Sequence, residues 1–266
     1  MKGIHFEGLR VLGKPQTFAR AYCDAGADEL LYIDAVASLY GRNNLLETIE
    51  RTSSEVFIPL CVGGGLRSVD DLRAVLRAGA DKVAINTAAV KNPDLIREAA
   101  NVFGSSTVVV SIHVVERPDG SFEALTDYGR EKTGLDAFAW ATRAVELGAG
   151  ELLITSIDRE GTGKGFECGF IRRVSEAVPV PVIACGGAGK VEHVLKVIQE
   201  GRADAVSLAS ILHYTTVQEL GTVAGDYETE GNTEFLRSDR GFKSFPKVTI
   251  PDIKHFLADH GVACRI

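Results

Sequence analysis

Short apolar runs recur along the chain, each followed by a glycine or small polar turn and then by a helical pattern. Residues 30–36 are almost continuously apolar, as a strand covered on both faces should be. Residues 58–62, Lys82–Ile85, 107–112 and 151–155 read the same way. Between them lie segments with helical spacing. Residues 14–26 place Phe18, Ala21, Tyr22 and Ala25 on one face and end at Gly26. Residues 45–53 are helical, and Ser68 with Asp71 resembles a capping box for the next helix. Asn92-Pro93 opens a helix to about Val102, with proline in its first turn. Helices at 136–147 and 169–177 follow, and Asp119-Gly120 marks a hairpin joining 114–117 to 122–126. Strands alternating with helices predict a parallel sheet.

The pattern occurs twice. Ile58-Pro59-Leu60-Cys61-Val62-Gly63-Gly64-Gly65, a helix and Gly79-Ala80-Asp81-Lys82-Val83 are echoed by Val180-Pro181-Val182-Ile183-Ala184-Cys185-Gly186-Gly187, a helix and Arg202-Ala203-Asp204-Ala205-Val206. Pro59 and Pro181 stand 122 positions apart, and so do Glu29 and Glu151. Two such half-units in 266 residues predict one α/β domain over residues 1–266, a (β/α)8 TIM barrel of two half-barrel repeats. His113 ends the strand that opens the second half, and its counterpart would fall before Met1. The expectation is therefore a barrel whose first strand is missing or truncated, or one that closes in another way. Unpaired edges beside a core are normally avoided, so a start site placed too far downstream is the simpler reading. Residues 214–247, after the eighth strand, read as an insertion over the carboxyl face, with Arg237, Arg240 and Lys243 able to meet an anion.

Composition narrows the class. The chain is 28.5 kDa with 45% hydrophobic residues, enough for one large core. A net charge of −7 with both signs scattered argues against nucleic acid or an anionic membrane as the main partner. No apolar run is long enough to span a bilayer and the first residues lack a signal core, so a cytoplasmic protein is expected. Cys23, Cys61, Cys168, Cys185 and Cys264 are odd in number and lack CxxC spacing. They read as reduced core thiols, and no metal or organic cofactor is expected.

Ligands of such barrels meet the loops after the strands. Gly64-Gly65 with Asn86-Thr87, and Gly186-Gly187 with Ala209-Ser210, are glycine turns and helix starts that can hold phosphate. Their relation by the repeat suggests an elongated substrate with a phosphate at each end. Asp34, His113, and Thr155 with Asp158 stand at strand ends where chemistry would occur. His113 reads either as a proton carrier near neutral pH or as a hydrogen-bonded core or loop histidine. Cys61 and Cys185 have no adjacent base and read as packing. At the opposite face Glu29, Lys82 and Glu151 open alternate strands, which feed the same interior layer. A lysine between two glutamates is a salt-bridge plug or a polar gate.

Ala27-Asp28-Glu29-Leu30, Val62-Gly63-Gly64-Gly65, Gly79-Ala80-Asp81-Lys82-Val83, Ile85-Asn86-Thr87-Ala88-Ala89-Val90, Gly148-Ala149-Gly150-Glu151, Thr155-Ser156-Ile157-Asp158-Arg159 and Gly186-Gly187-Ala188-Gly189 resemble the cyclase-subunit (HisF) family of imidazole glycerol phosphate synthase over nearly the whole chain. That resemblance implies a glutaminase subunit docked on the amino-terminal face and ammonia passing through the barrel to a bisphosphate ribonucleotide. It makes Glu29, Lys82 and Glu151 the gate, without the family's first-strand arginine. Gly65, Asn86, Thr87, Gly187, Ala209 and Ser210 match its phosphate sites.

The family's two catalytic aspartates end the first and fifth strands. The first would precede Met1, and the second is replaced by His113. Lys2 matches the lysine of the loop after the first strand. Residues 34–43 also resemble paralogues from surface-sugar (surface polysaccharide) biosynthesis that use ammonia for sugar amidation. The leading reading is thus an ammonia-using, lyase- or cyclase-type synthase subunit of a glutamine amidotransferase, acting on a phosphorylated sugar or sugar nucleotide with altered catalytic residues. Two alternatives stand beside it: the histidine-pathway cyclase, and a non-catalytic barrel serving as scaffold or ammonia conduit. With both aspartates compromised, negligible histidine-pathway cyclase activity is expected.

Overall fold

In the computed structural model of the chain, the described residues are 2–4, 7–10, 12–34, 44–220 and 246–266. Strands β1 (Lys2–Ile4) and β2 (Glu7–Arg10) form an antiparallel hairpin apart from the main sheet. Helix α1 (Pro15–Asp24) leads to β3 (Leu30–Ile33), α2 (Asn44–Glu55) to β4 (Leu60–Gly63), and α3 (Val69–Arg77) to β5 (Lys82–Ile85). Helices α4 (Thr87–Lys91) and α5 (Asp94–Phe103) lead to β6 (Val108–Glu116), which turns back through β7 (Phe122–Thr126) and β8 (Glu131–Asp136). Helix α6 (Ala137–Glu146) precedes β9 (Glu151–Ser156), α7 (Cys168–Ser175) precedes β10 (Val182–Cys185), and α8 (Val191–Gln199) precedes β11 (Ala205–Ser207). Helices α9 (Ser210–Leu220) and α10 (Ile250–Asp259) complete the described chain.

Strands β3, β4, β5, β6, β9, β10 and β11 pair in that order, all parallel, with helices between them as the sequence pattern predicts. This is the sheet of a (β/α)8 barrel, nearly closed. Among the described residues no strand joins β11 to β3, so the ladder is open between them. Ile33, at the open edge, is 37% exposed. The helical layer does close that seam. Phe18 and Tyr22 of α1 pack on His213 of α9, and the buried Lys254 of α10 donates to Asp28 Oδ1 at 2.8 Å just ahead of β3.

The repeated Ala-Asp pair, Ala80-Asp81 and Ala203-Asp204, has a structural cause. Leu60 N–H donates to Asp81 Oδ2 at 2.8 Å, and Val182 N–H donates to Asp204 Oδ2 at 2.8 Å. Each carboxylate caps the first free donor of the preceding strand, which would otherwise be buried unsatisfied. The capping box is also present, with Asp71 N–H donating to Ser68 Oγ and the Asp71 carboxylate accepting from Ser68 N–H. The main core lies between sheet and helices, where Leu72, Ile96 and Ile211 are wholly buried. Each such side chain contributes roughly 1.5–3 kcal/mol. A second, smaller cluster of Cys61, Ala84, Val109 and Leu153 fills the barrel interior.

Two boundaries differ from the sequence reading. Strand β6 runs unbroken to Glu116, because β7 pairs it on one side from His113 to Glu116 and β9 pairs it on the other as far as Val114. Residues 214–220, read as the start of an insertion, are instead the regular end of α9, with Thr215, Thr216 and Val217 buried. The far end of that segment is anchored beside it, since Val248 N–H donates to Thr215 Oγ1 at 3.1 Å. Residues 221–245, which hold Gly231-Asn232, Arg237, Arg240, Phe242 and Lys243, lie outside the described residues, as do residues 35–43.

Candidate functional site

Alternation along β6 and β9 stacks three side-chain pairs through the barrel: Val109 with Glu151, Ser111 with Leu153, and His113 with Thr155. The stack carries charge at one end and an imidazole at the other. At the amino-terminal end Lys82 Nζ donates to Glu29 Oε2 and to Glu151 Oε1, both at 2.7 Å. Burial works to lower the Lys82 pKa, but the hydrogen bonds to Glu151 and Glu29 outweigh it and hold the ammonium charged. Glu151 Oε2 is buried with no hydrogen-bond partner among the described residues. The charged layer also acts on Cys61: burial first, then Glu29, push its thiol up, which keeps it protonated and inert.

At the carboxyl end His113 is 9% exposed, and burial lowers its pKa to about 4. The imidazole is therefore neutral near pH 7, able to accept a proton and unable to act as a resident cation. Thr155 is buried beside it in register. Asp34 follows β3, its N–H donating to Gly63 O at 2.8 Å. Asp158 does not join this group. It is exposed, and its Oδ2 accepts from Glu116 N–H at 2.9 Å, tying the hairpin to the turn after β9.

The two predicted phosphate sites both form turns at this face. Gly64 (φ 100°), Gly65 (φ 71°), Gly186 (φ 89°) and Gly187 (φ 111°) take angles that favour glycine. In the second half Gly186, Gly187, Ala209 and Ser210 line one concavity together with Cys185 and Glu160. In the first half both amide atoms of Asn86 are buried with no partner among the described residues. Such a group costs about 1–3 kcal/mol unless a ligand satisfies it. Thr87 is already engaged, since its Oγ1 accepts from Asp127 N–H at 2.9 Å.

Two residues at the mouth escape sequence reasoning. Glu160 is 5% exposed, and its only advance signal is an acid beside Gly161 after a barrel strand. Tyr128 stands edge-on to His113, ring centroids 6.3 Å apart. Burial raises its pKa to about 12. It lies in a hairpin whose length and register the residue pattern leaves open. Among the described residues no group of three or more His, Cys, Asp or Glu side chains could hold a metal ion. No helix among them is long and apolar enough to cross a membrane.

The chain is similar to known proteins over most of its length. A family described as "Histidine biosynthesis protein" matches residues 1–218. An "Imidazole glycerol phosphate synthase subunit HisF" from Legionella pneumophila is 57% identical over 192 residues, covering 72% of this chain and 91% of that protein. One of the same name from Alkaliphilus metalliredigens (strain QYMF) is 48% identical over 217 residues, 82% of this chain and 86% of that protein.

Proposed function

From the premise that this chain belongs to the histidine biosynthesis protein family and, within it, to the HisF family, we propose that it is an ammonia-using synthase subunit of the imidazole glycerol phosphate synthase kind. Its substrate is a ribonucleotide carrying two phosphates, and its ammonia comes from a glutaminase subunit docked at the amino-terminal face. Relatives that bear the imidazole glycerol phosphate synthase name favour this substrate over the sugar nucleotide of the leading sequence reading.

The observation that carries the proposal is the inward stack on β6 and β9, with the Lys82 layer at one end and His113 with Thr155 at the other. Ammonia entering at Glu29, Lys82 and Glu151 meets hydrogen-bonding groups there and the apolar interior around Cys61, Ala84, Val109 and Leu153 beyond. At the far end His113, neutral because it is buried, accepts a proton from the amine as it adds to the substrate. The phosphates rest at Gly64-Gly65 with Asn86-Thr87 and at Gly186-Gly187 with Ala209-Ser210. Asn86 then gains the partner that its buried amide lacks.

This replaces the expectation of negligible activity, which rested on residue identity, with one that rests on position. A proton carrier contributes roughly 10²–10⁴-fold, and one whose pKa lies well below the working pH stands at the low end of that range. The test supplies ammonium salts directly to the 266-residue chain and measures turnover of the bisphosphate ribonucleotide. Turnover that His113→Ala lowers by that factor supports the proposal. Absence of turnover with tight substrate binding leaves the scaffold reading in its place.

A further inference from the structure

The turn between β7 and β8 is built against its own backbone preferences. Asp127 and Tyr128 both take left-handed angles, φ 47° and 62°, ahead of Gly129 at 77°. Aspartate visits this region readily, but for a bulky residue such as Tyr128 it costs roughly 1–2 kcal/mol, and such a conformation persists only where its surroundings hold it. Here the barrel mouth holds them. Asp127 N–H donates to Thr87 Oγ1 at 2.9 Å, and the Asp127 carboxylate pairs with Lys91 of α4 at 3.6 Å. Arg130 N–H closes the turn on Thr126 O at 3.1 Å.

So anchored, the Tyr128 ring lies against His113 at an interplanar angle of 86°. Its phenol is under the influence of Cys185 at the end of β10 and Asp34 after β3, with Arg130 acting in the opposite sense. His113 itself is flanked in register by Leu125 and Thr155, and among the described residues Glu160, the Lys91–Asp127 pair and the Arg159–Glu167 pair are further charged groups at this face.

We propose that Tyr128 is a positioning residue of this site: the strained turn sets its ring as a roof that fixes the His113 imidazole and keeps water from it. The strain is then the cost of placing an aromatic ring where the turn alone would take glycine. This deepens the proposed function, and its activity measurement rests on that reading, but its test on His113 does not.

The test follows the His113 ring by ¹⁵N NMR titration in the full chain. In the unmodified protein the expected result is a His113 midpoint near 4, lowered by burial. Tyr128→Gly suits the left-handed backbone, so the chain stays folded, and His113 titrates about one pH unit higher or more as water reaches it. Tyr128→Asn, which also tolerates this conformation, does the same and serves if the glycine variant is unstable. Tyr128→Phe keeps the roof and leaves His113 where it was. An unmoved His113 in folded Tyr128→Gly and Tyr128→Asn, or an equal displacement in Tyr128→Phe, overturns the proposal. With ammonium and the bisphosphate ribonucleotide, Tyr128→Gly lowers kcat roughly 10–100-fold, and the acid limb of the pH profile moves with His113. Unaltered kcat with a displaced His113 also overturns the positioning role. If the unmodified chain does not turn over that substrate, the proposed function fails, and the His113 titration still decides what Tyr128 does.

Discussion

The two halves of the barrel reach the carboxyl face with the same backbone and leave it with different sites. Gly64 and Gly186, related by the 122-residue repeat, sit against equally related neighbours. A Cβ on Gly64 would lie 2.2 Å from Asp34 O, and one on Gly186 would lie 2.7 Å from Ser156 O. Beyond that level the halves diverge. Asn86 and Thr87 in the first correspond to Ala209 and Ser210 in the second, so one turn offers a buried amide where the other offers a methyl group. The hairpin that extends β6 reaches the first turn through Asp127 and Thr87, while the second remains a concavity lined by Ser210 and Glu160. Repetition thus conserves what the backbone needs. An inserted hairpin and single side-chain changes decide which half binds what.

The backbone part of this comparison is the most sensitive to mutation. Gly64→Ala and Gly186→Ala each force a methyl group onto a carbonyl at positive φ, and each should cost roughly 2–4 kcal/mol. Urea unfolding of the two variants measures this, with Gly64→Ala the worse because its contact is the closer. A cost in one half with none in the other would break the symmetry inferred for the turns.

The next effect belongs to β6 alone. His113 has a folded pKa of about 4 against an ordinary 6.5. The unfolded chain therefore binds a proton that the native state refuses. The stability from this site is fully present above pH 6.5 and is lost as pH falls through 6.5 toward 4, by roughly 3 kcal/mol in all. Unfolding free energies measured from pH 7 to pH 4 should show that loss, and His113→Leu should remove this share of it.

The smallest effect separates the two anion sites. Ser210→Ala should weaken binding of inorganic phosphate by about 1 kcal/mol. Thr87→Ala should weaken it less, because the Thr87 hydroxyl is already committed to Asp127. Calorimetric titration of both variants tests the difference, and equal losses would show that the hairpin does not distinguish the halves.

Much of this architecture is legible in the chain itself. Apolar runs broken by glycine, and helical patterns between them, set the order of strands and helices, because burial on both faces of a parallel sheet leaves little choice of residue. The repeat places Glu29, Lys82 and Glu151 in one layer, since alternation at period 2 carries through neighbouring strands. Tertiary structure decides the rest. Asp158 and His113 look equivalent at strand ends, yet one is exposed and caps Glu116 while the other is buried in the mouth. Tyr128 reaches His113 across a hairpin whose register is set by pairing with β6, and Lys254 meets Asp28 over 226 positions. Local patterns encode which residues are buried and in what element. Which side chains meet, and what burial does to their charge, depends on distances that close only when the sheet curls and its helices pack around it.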